Sequence, residues 1–311
     1  MDADIGGRGA AVEIAGFWRR LVALAVDLFL LGVAGMIVGG LLFDALARMG
    51  GYARLPGFAL ALLYFGLCNS RLRGGQTVGK MLLGIRVVDR AGAPLSVPRA
   101  MLRYAVLGVP CFLNGAPVLG PDAPLPLDAL LSLLVFGGLL GTAYLYVFNR
   151  RTRQTLHDLA VGSCVVRAEP GETRPVAAVW RGHYVVLGLL AVLALGLPLA
   201  LHRLAGGDAF AGMLPAYRTL TREPHVLNAL VMRGSASFNG TGSRYLQASL
   251  RLDAPLLDDA GLARRAAGVL AASDDGRAED AFVVILVYGY DMGIAHGWKY
   301  RSYTYRPDEL R

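Results

Sequence analysis

Charge is what this 311-residue sequence has least of: 17% of it is Asp, Glu, Lys or Arg, against about 25% in an ordinary soluble domain. With 55% hydrophobic residues and a mean hydropathy of +0.47, that scarcity excludes one aqueous core as the place where all the apolar surface is hidden. Cysteine is sparse too. Cys68, Cys111 and Cys164 all lie in or beside apolar segments and the polar C-terminal part has none, so no disulfide framework is legible. Met1 to Ala15 contains Asp2, Asp4 and Glu13, without a basic n-region or a small-residue cleavage site, which argues against a cleaved signal peptide. No nucleophile with a base partner can be read, and His225, Asp291 and His296 are too scattered for a metal site. The expectation is a protein that is not an enzyme and uses no metal or cofactor. The net charge of +8 falls in short clusters beside apolar runs and not on one continuous face, so it reads as anchoring of membrane spans and not as nucleic-acid binding.

What the chain does have is long apolar runs. Leu21 to Phe43 contains one charge, Asp27, and at 1.5 Å per residue reaches about 34 Å, enough for a hydrocarbon core of about 30 Å. Leu55 to Leu67 is shorter, with Tyr64, Asn69 and Ser70 extending it into the interface. Arg71 to Arg103 is basic and glycine-punctuated, and Gly84 to Asp89 followed by Arg90 to Pro94 predicts a short strand and turn at the water interface. Tyr104 to Leu119 is apolar but interrupted by Pro110, Asn114 and Pro117; it either crosses as a kinked helix or re-enters. Leu127 to Phe148 and Tyr184 to Leu201 are further spans.

Three basic clusters follow: Arg19 and Arg20; Arg71 through Arg103; and Arg150, Arg151 and Arg153. All are cytoplasmic at once if Tyr104 to Leu119 crosses, which gives about five spans, a cytoplasmic N-terminus and an extracytoplasmic C-terminus. The expected organisation is a membrane domain over 1–170, a linker and last transmembrane helix over 171–205, and an extracytoplasmic α+β domain over 206–311. The location is the cell (inner) membrane, with a periplasmic domain if the source is Gram-negative.

The C-terminal domain is expected to be an antiparallel sheet with a packed helix. Leu246, Ala248, Leu250 and Leu252 alternate with polar residues as a half-buried strand does, and Asn239-Gly240 upstream is a hairpin signal toward a partner within Val226 to Phe238. Leu262, Ala266, Val269 and Leu270 have helical spacing, with Asp258 or Asp259 available as the cap. Phe282 to Tyr288 reads as a central strand and Trp298 to Tyr305 as a final one, its aromatics forming a sheet face that an external partner could use.

Asp27 carries the most information, because an ionisable group in a span costs about 2.5–3.5 kcal/mol near the helix centre and needs compensation. Arg20 lies seven residues earlier on the same helix face, about 10.5 Å away along the axis, and Arg86, Arg99 and Arg103 are equally plausible partners. The bland reading is a buried ion pair; the functional one is an ion or proton site. Gly74 to Lys80 fits the first seven positions of a phosphate-cradling loop, but Met81 replaces the Ser or Thr and no strand leads in, so a turn whose Lys80 meets lipid phosphates is the better reading. Lys80 and Arg86 are taken as an interfacial basic loop. His157 beside Asp158 either titrates near neutral pH or caps the segment that follows.

In order, Gly16-Phe-Trp-Arg-Arg20, Ala23, Asp27, Gly75-Gln-Thr-Val-Gly-Lys80, Gly84-Ile-Arg-Val-Val-Asp89, Arg99, Arg103 and Thr155-Leu-His-Asp-Leu159 resemble the RDD family of membrane proteins over about Ala15 to Arg167. The arginine and two aspartates that name the family match Arg20, Asp27 and Asp158; the usual Gly-Thr is replaced around Gly162-Ser163-Cys164. The resemblance implies cation/proton antiport, proposed for some members, or an assembly role, proposed for others. Two expectations stand: a polar intramembrane site of Arg20, Asp27, Arg103, His157 and Asp158 serving a monovalent cation or proton, or a scaffold in the lipid bilayer whose residues 206–311 bind a protein partner. A tethered extracytoplasmic enzyme lacks a legible site.

Overall fold

The structure, a computed structural model, describes residues 13–119, 123–168, 178–205, 213–238, 241–273 and 279–310. The chain divides into two compact units. The first comprises Met1–Gly35, Arg54–Ala116 and Pro124–Pro198; the second comprises Met36–Ala53, Pro117–Ala123 and Leu199–Arg311.

The long apolar runs become helices. These are α1 (Phe17–Leu41), α3 (Arg54–Cys68) after the short α2 (Phe43–Arg48), α5 (Val97–Leu113), α6 (Leu125–Ser132) continuing through a π-helical turn into α7 (Gly138–Phe148), and α9 (Arg181–Ala205). Among the described residues, four helices are long and apolar enough to cross a membrane: Phe17–Leu41, Gly50–Cys68, Leu125–Phe148 and Arg181–Leu204. Many of their large apolar side chains, among them Phe29, Leu130, Leu189 and Val192, are exposed, as lipid-facing residues must be.

α5 differs from the sequence expectation. It is unbroken from Val97 to Leu113, with Pro98 in the first turn, where a missing N–H costs nothing, and Pro110 in the last. The interrupted segment read from Tyr104 is therefore the second half of a helix that starts seven residues earlier, and the chain leaves it only at Asn114. α5 runs antiparallel to α3: Arg54 donates to the Phe112 carbonyl at 2.9 Å at one end, and the Arg71 N–H meets the Leu95 carbonyl at 2.8 Å at the other. Phe65 stacks on Tyr104 between them.

Two basic stretches fold into a small cap on this unit. α4 (Val78–Leu82) leads into β1 (Ile85–Asp89), and α8 (Leu156–Val161) into β2 (Ser163–Arg167); β1 and β2 pair antiparallel from Ile85↔Arg167 to Asp89↔Ser163. Ala15, Ala23, Ile85, Val87, Leu95, Ala100, Val161 and Val165 form the core beneath.

The second unit contains α10 (Met213–Leu220), β3 (Val226–Phe238), β4 (Thr241–Leu252), α11 (Ala260–Ala272), β5 (Ala281–Asp291) and β6 (His296–Tyr305), with strand order β3-β4-β5-β6. The expected antiparallel sheet is mixed: β4 and β5 are parallel, because α11 carries the chain back along the sheet before β5 begins. Asp259, not Asp258, caps α11, accepting from the Leu262 N–H at 2.9 Å. Asn239-Gly240 lies outside the described residues, but β3 and β4 pair up to Phe238↔Thr241. Alternation holds: Leu246, Ala248, Leu250 and Leu252 of β4 join Phe282, Val284 and Leu286 of β5 in the core under α11.

The same unit also takes in the end of α1, α2 and the turn after it. Leu46, Ala53, Tyr290 and Met292 form a core there, Phe43 packs edge-on against Tyr288 and Tyr290, and the Tyr288 hydroxyl donates to Asp44 at 2.9 Å. Gly39 makes the fit possible, since a Cβ there would sit 1.9 Å from the Tyr290 hydroxyl oxygen. Pro117 closes against Gly51 in the same way, at 2.8 Å from a Cβ built there.

Candidate functional site

Asp27 is fully buried in α1 and is met by α4. A Cβ on Gly79 would lie 2.1 Å from the Ala23 carbonyl, so only glycine lets α4 come this close, and the approach brings the Gly79 N–H to 2.8 Å from Asp27 Oδ1. Thr77, the N-cap of α4, accepts from the Lys80 N–H at 3.3 Å while its hydroxyl donates to Asp27 Oδ2 at 2.5 Å. The Tyr64 hydroxyl donates to Oδ1 at 2.7 Å. Three hydrogen-bond donors thus hold the carboxylate, and the expected arginine partner is not used: Arg20 and Arg103 turn to Asp158, Arg99 donates to the Val161 carbonyl at 2.6 Å, and Arg86 sits in β1 opposite Val166. A charge that can be met by a backbone N–H and two hydroxyls does not need a second buried ion, whose desolvation would cost more.

Asp158 is where the ion pairing occurs. Arg103 donates from both Nε and Nη2 to Oδ1, at 3.0 and 2.7 Å, and Arg20 Nη2 donates to Oδ2 at 3.0 Å. Ser163 adds its hydroxyl at 3.0 Å, and the Thr155 N–H reaches Oδ2 at 3.3 Å, the return half of a capping arrangement at the start of α8. Burial alone would raise the Asp158 pKa, but Arg103, His157 and Arg20 outweigh it and hold the carboxyl well below the usual range. Desolvation pushes His157 down to about 3, so at neutral pH its 3.8 Å approach to Asp158 is a contact of a neutral ring with an anion and not a salt bridge. His157 therefore does not titrate near neutrality.

A cavity of about 70 Å³, room for a few waters, adjoins this cluster. Arg20, Lys80, Arg103, His157 and Asn69 line it, and its lining among the described residues includes no carboxylate. Desolvation, then Arg103, push Lys80 down to about 7. Asn69 is buried with its side-chain oxygen unpaired. Lys80 thus faces this cavity and bonds Thr77, which departs from the expected interfacial contact with lipid phosphates.

The structure brings Arg20, Arg103, His157, Asp158 and Lys80 together, gives Asp27 a separate set of partners, and leaves Arg86 outside both. Tyr64, Thr77, Gly79, Ser163 and Asn69 were missed as site residues. For Thr77 a signal existed, because a threonine just before a short helix is an N-cap. The N–H groups of the phosphate-loop-like run are already engaged: those of Gly75, Gln76, Val78 and Gly79 go to Ser70, Arg73, Tyr64 and Asp27.

The family model described as the RDD family matches residues 14–162, which span both clusters. A Bacillus subtilis (strain 168) protein described as the uncharacterized protein YckC is 26% identical over 158 residues, 51% of this chain and 87% of its own length. No solved structure matches the chain.

Proposed function

Residues 14–162 of this multi-pass membrane protein belong to the RDD family, and from that premise we propose that the chain is a non-catalytic membrane scaffold whose sheet domain docks a protein partner on the extracytoplasmic side. The observation that carries the reading is the way the two motif carboxylates are used. Asp27 and Asp158 are spent on internal bonds, and the neighbouring cavity presents bases to its interior. A cation passing there would meet Arg20, Arg103 and Lys80 before any free acid, the reverse of what a cation path needs.

Placement is supported by packing within each unit. α5 runs antiparallel to α3 along its length, which supports reading it as a fifth crossing beside the four long apolar helices, and five crossings would put the basic clusters on one side. The α1–α3 connection packs with the C-terminal sheet in a single unit, which suits a common side for both. Leu230, Met232 and Tyr300 are exposed on the sheet face away from α11, which suits a partner contact. Purified chain in sealed vesicles is the test: the scaffold reading predicts no sodium, potassium or proton flux above protein-free vesicles. Flux that depends on Asp27 would replace it with the transport reading.

A further inference from the structure

We propose that the cleft between the first turn of α1, the end of α7 and β2 binds the phosphate headgroup of an anionic membrane lipid. The cleft measures about 610 Å³ and gathers Arg19, Arg150, Arg153 and Arg167 around Glu13, the one acid among its described lining residues. Glu13 is taken by Arg167 at 3.0 Å, and among the described residues Arg150 and Arg153 have no acidic partner. Guanidinium forks with no carboxylate match phosphate oxygens in shape and charge. The first turn of α1 holds no acidic residue, so the positive end of a 25-residue helix opens toward the same cleft.

Position selects a lipid over a free anion. The walls are the ends of two helices long and apolar enough to cross a membrane, which puts the cleft at headgroup depth. Trp18 is 72% exposed there, as an interfacial aromatic is, and exposed Val147 and Phe148 continue the surface toward the acyl chains. The cleft is also tied to the Asp158 cluster. Arg153 is held in a left-handed backbone conformation with φ 50°, and its carbonyl accepts from Arg20, the residue that pairs with Asp158.

The test uses full-length protein in neutral detergent, with the thermal midpoint read while dioleoylphosphatidylglycerol, dioleoylphosphatidylcholine or inorganic phosphate is added. Phosphatidylglycerol should raise the midpoint by several degrees and phosphatidylcholine should not. The Arg150→Gln/Arg153→Gln variant should lose most of that rise with its lipid-free midpoint unchanged, whereas Arg151→Gln, outside the cleft, should keep it. Native mass spectrometry of the same samples should show retained phosphatidylglycerol in the wild type and Arg151→Gln only. An equal rise with both lipids, an equal rise with inorganic phosphate alone, or full retention of the effect and of bound lipid in the double variant would overturn the proposal.

Discussion

Arg103 and Asp158 stand 55 residues apart in sequence and 2.7 Å apart in space, and Arg20 closes on the other carboxylate oxygen at 3.0 Å. One carboxylate in a six-residue helix thereby clamps α1 and α5 to the cap. Because all three groups are buried, Arg103→Met should cost about 3–5 kcal/mol and Asp158→Asn a similar amount, whereas the double variant should cost less than their sum. Thermal or denaturant unfolding in detergent reads the cycle; additive losses would mean that the pair is not coupled.

Asp27 should respond differently. Asp27→Asn keeps acceptors for Tyr64 and Gly79 and should cost about 1–2 kcal/mol, while Asp27→Leu strands three donors and should cost more than about 3 kcal/mol. Removing Arg20 or Arg103 as well should give no rescue, since neither faces Asp27. Recovery in such a double variant would restore the ion-pair reading.

Much of this was legible in the sequence, and what was not has definite causes. The apolar runs, the α11 spacing and the alternation of Leu246 to Leu252 follow from local periodicity, which burial enforces residue by residue. The sense of β5 beside β4 depends on where α11 returns the chain, and Ala281 to Asp291 reads the same in either direction. The bond of Asp44 to Tyr288 joins positions 244 residues apart, and Phe43 packs beside it, with no local pattern to announce either contact. At the site, the motif points to Arg20 and Asp158, and visible charge leaves Asp27 either an arginine partner or an ion to bind, whereas the backbone N–H that close packing of Gly79 brings to it has no sequence signal.

Acid should weaken the cap through His157. Its folded pKa of about 3 lies below the ordinary 6.5, so between those values the unfolded chain binds more protons and stability falls as pH falls. The lowered pKa of Asp158 adds to the loss only below about its ordinary 3.8. His157→Gln should flatten the midpoint-versus-pH curve between pH 6 and 4; an unchanged slope would place its origin elsewhere.

Lys80 works at the other end. Its folded pKa of about 7 lies below the ordinary 10.5, so the penalty of charging it is present at and below neutrality and is relieved as pH rises toward 10.5. Lys80→Met should therefore stabilise the protein at pH 7, with a gain that shrinks by pH 10. A gain that persists unchanged would mean that it does not come from the cost of charging Lys80.

The contact between the α1–α3 connection and the sheet should matter to the second unit. Tyr288→Phe removes the bond to Asp44 and should cost about 1 kcal/mol, and Phe43→Ala should cost about 3 kcal/mol. Limited proteolysis of β5 and β6 in the intact protein should accelerate in that order. Equal rates in both variants and the wild type would separate residues 36–53 from the sheet.

The most direct test of the account is flux and stability measured together on wild type and Asp27→Asn in the same vesicles. The scaffold account predicts no cation- or proton-driven flux in either, with a lowered thermal midpoint in the variant because Asp27 holds α4 to α1. Flux in the wild type that disappears in an Asp27→Asn protein of unchanged midpoint would contradict it.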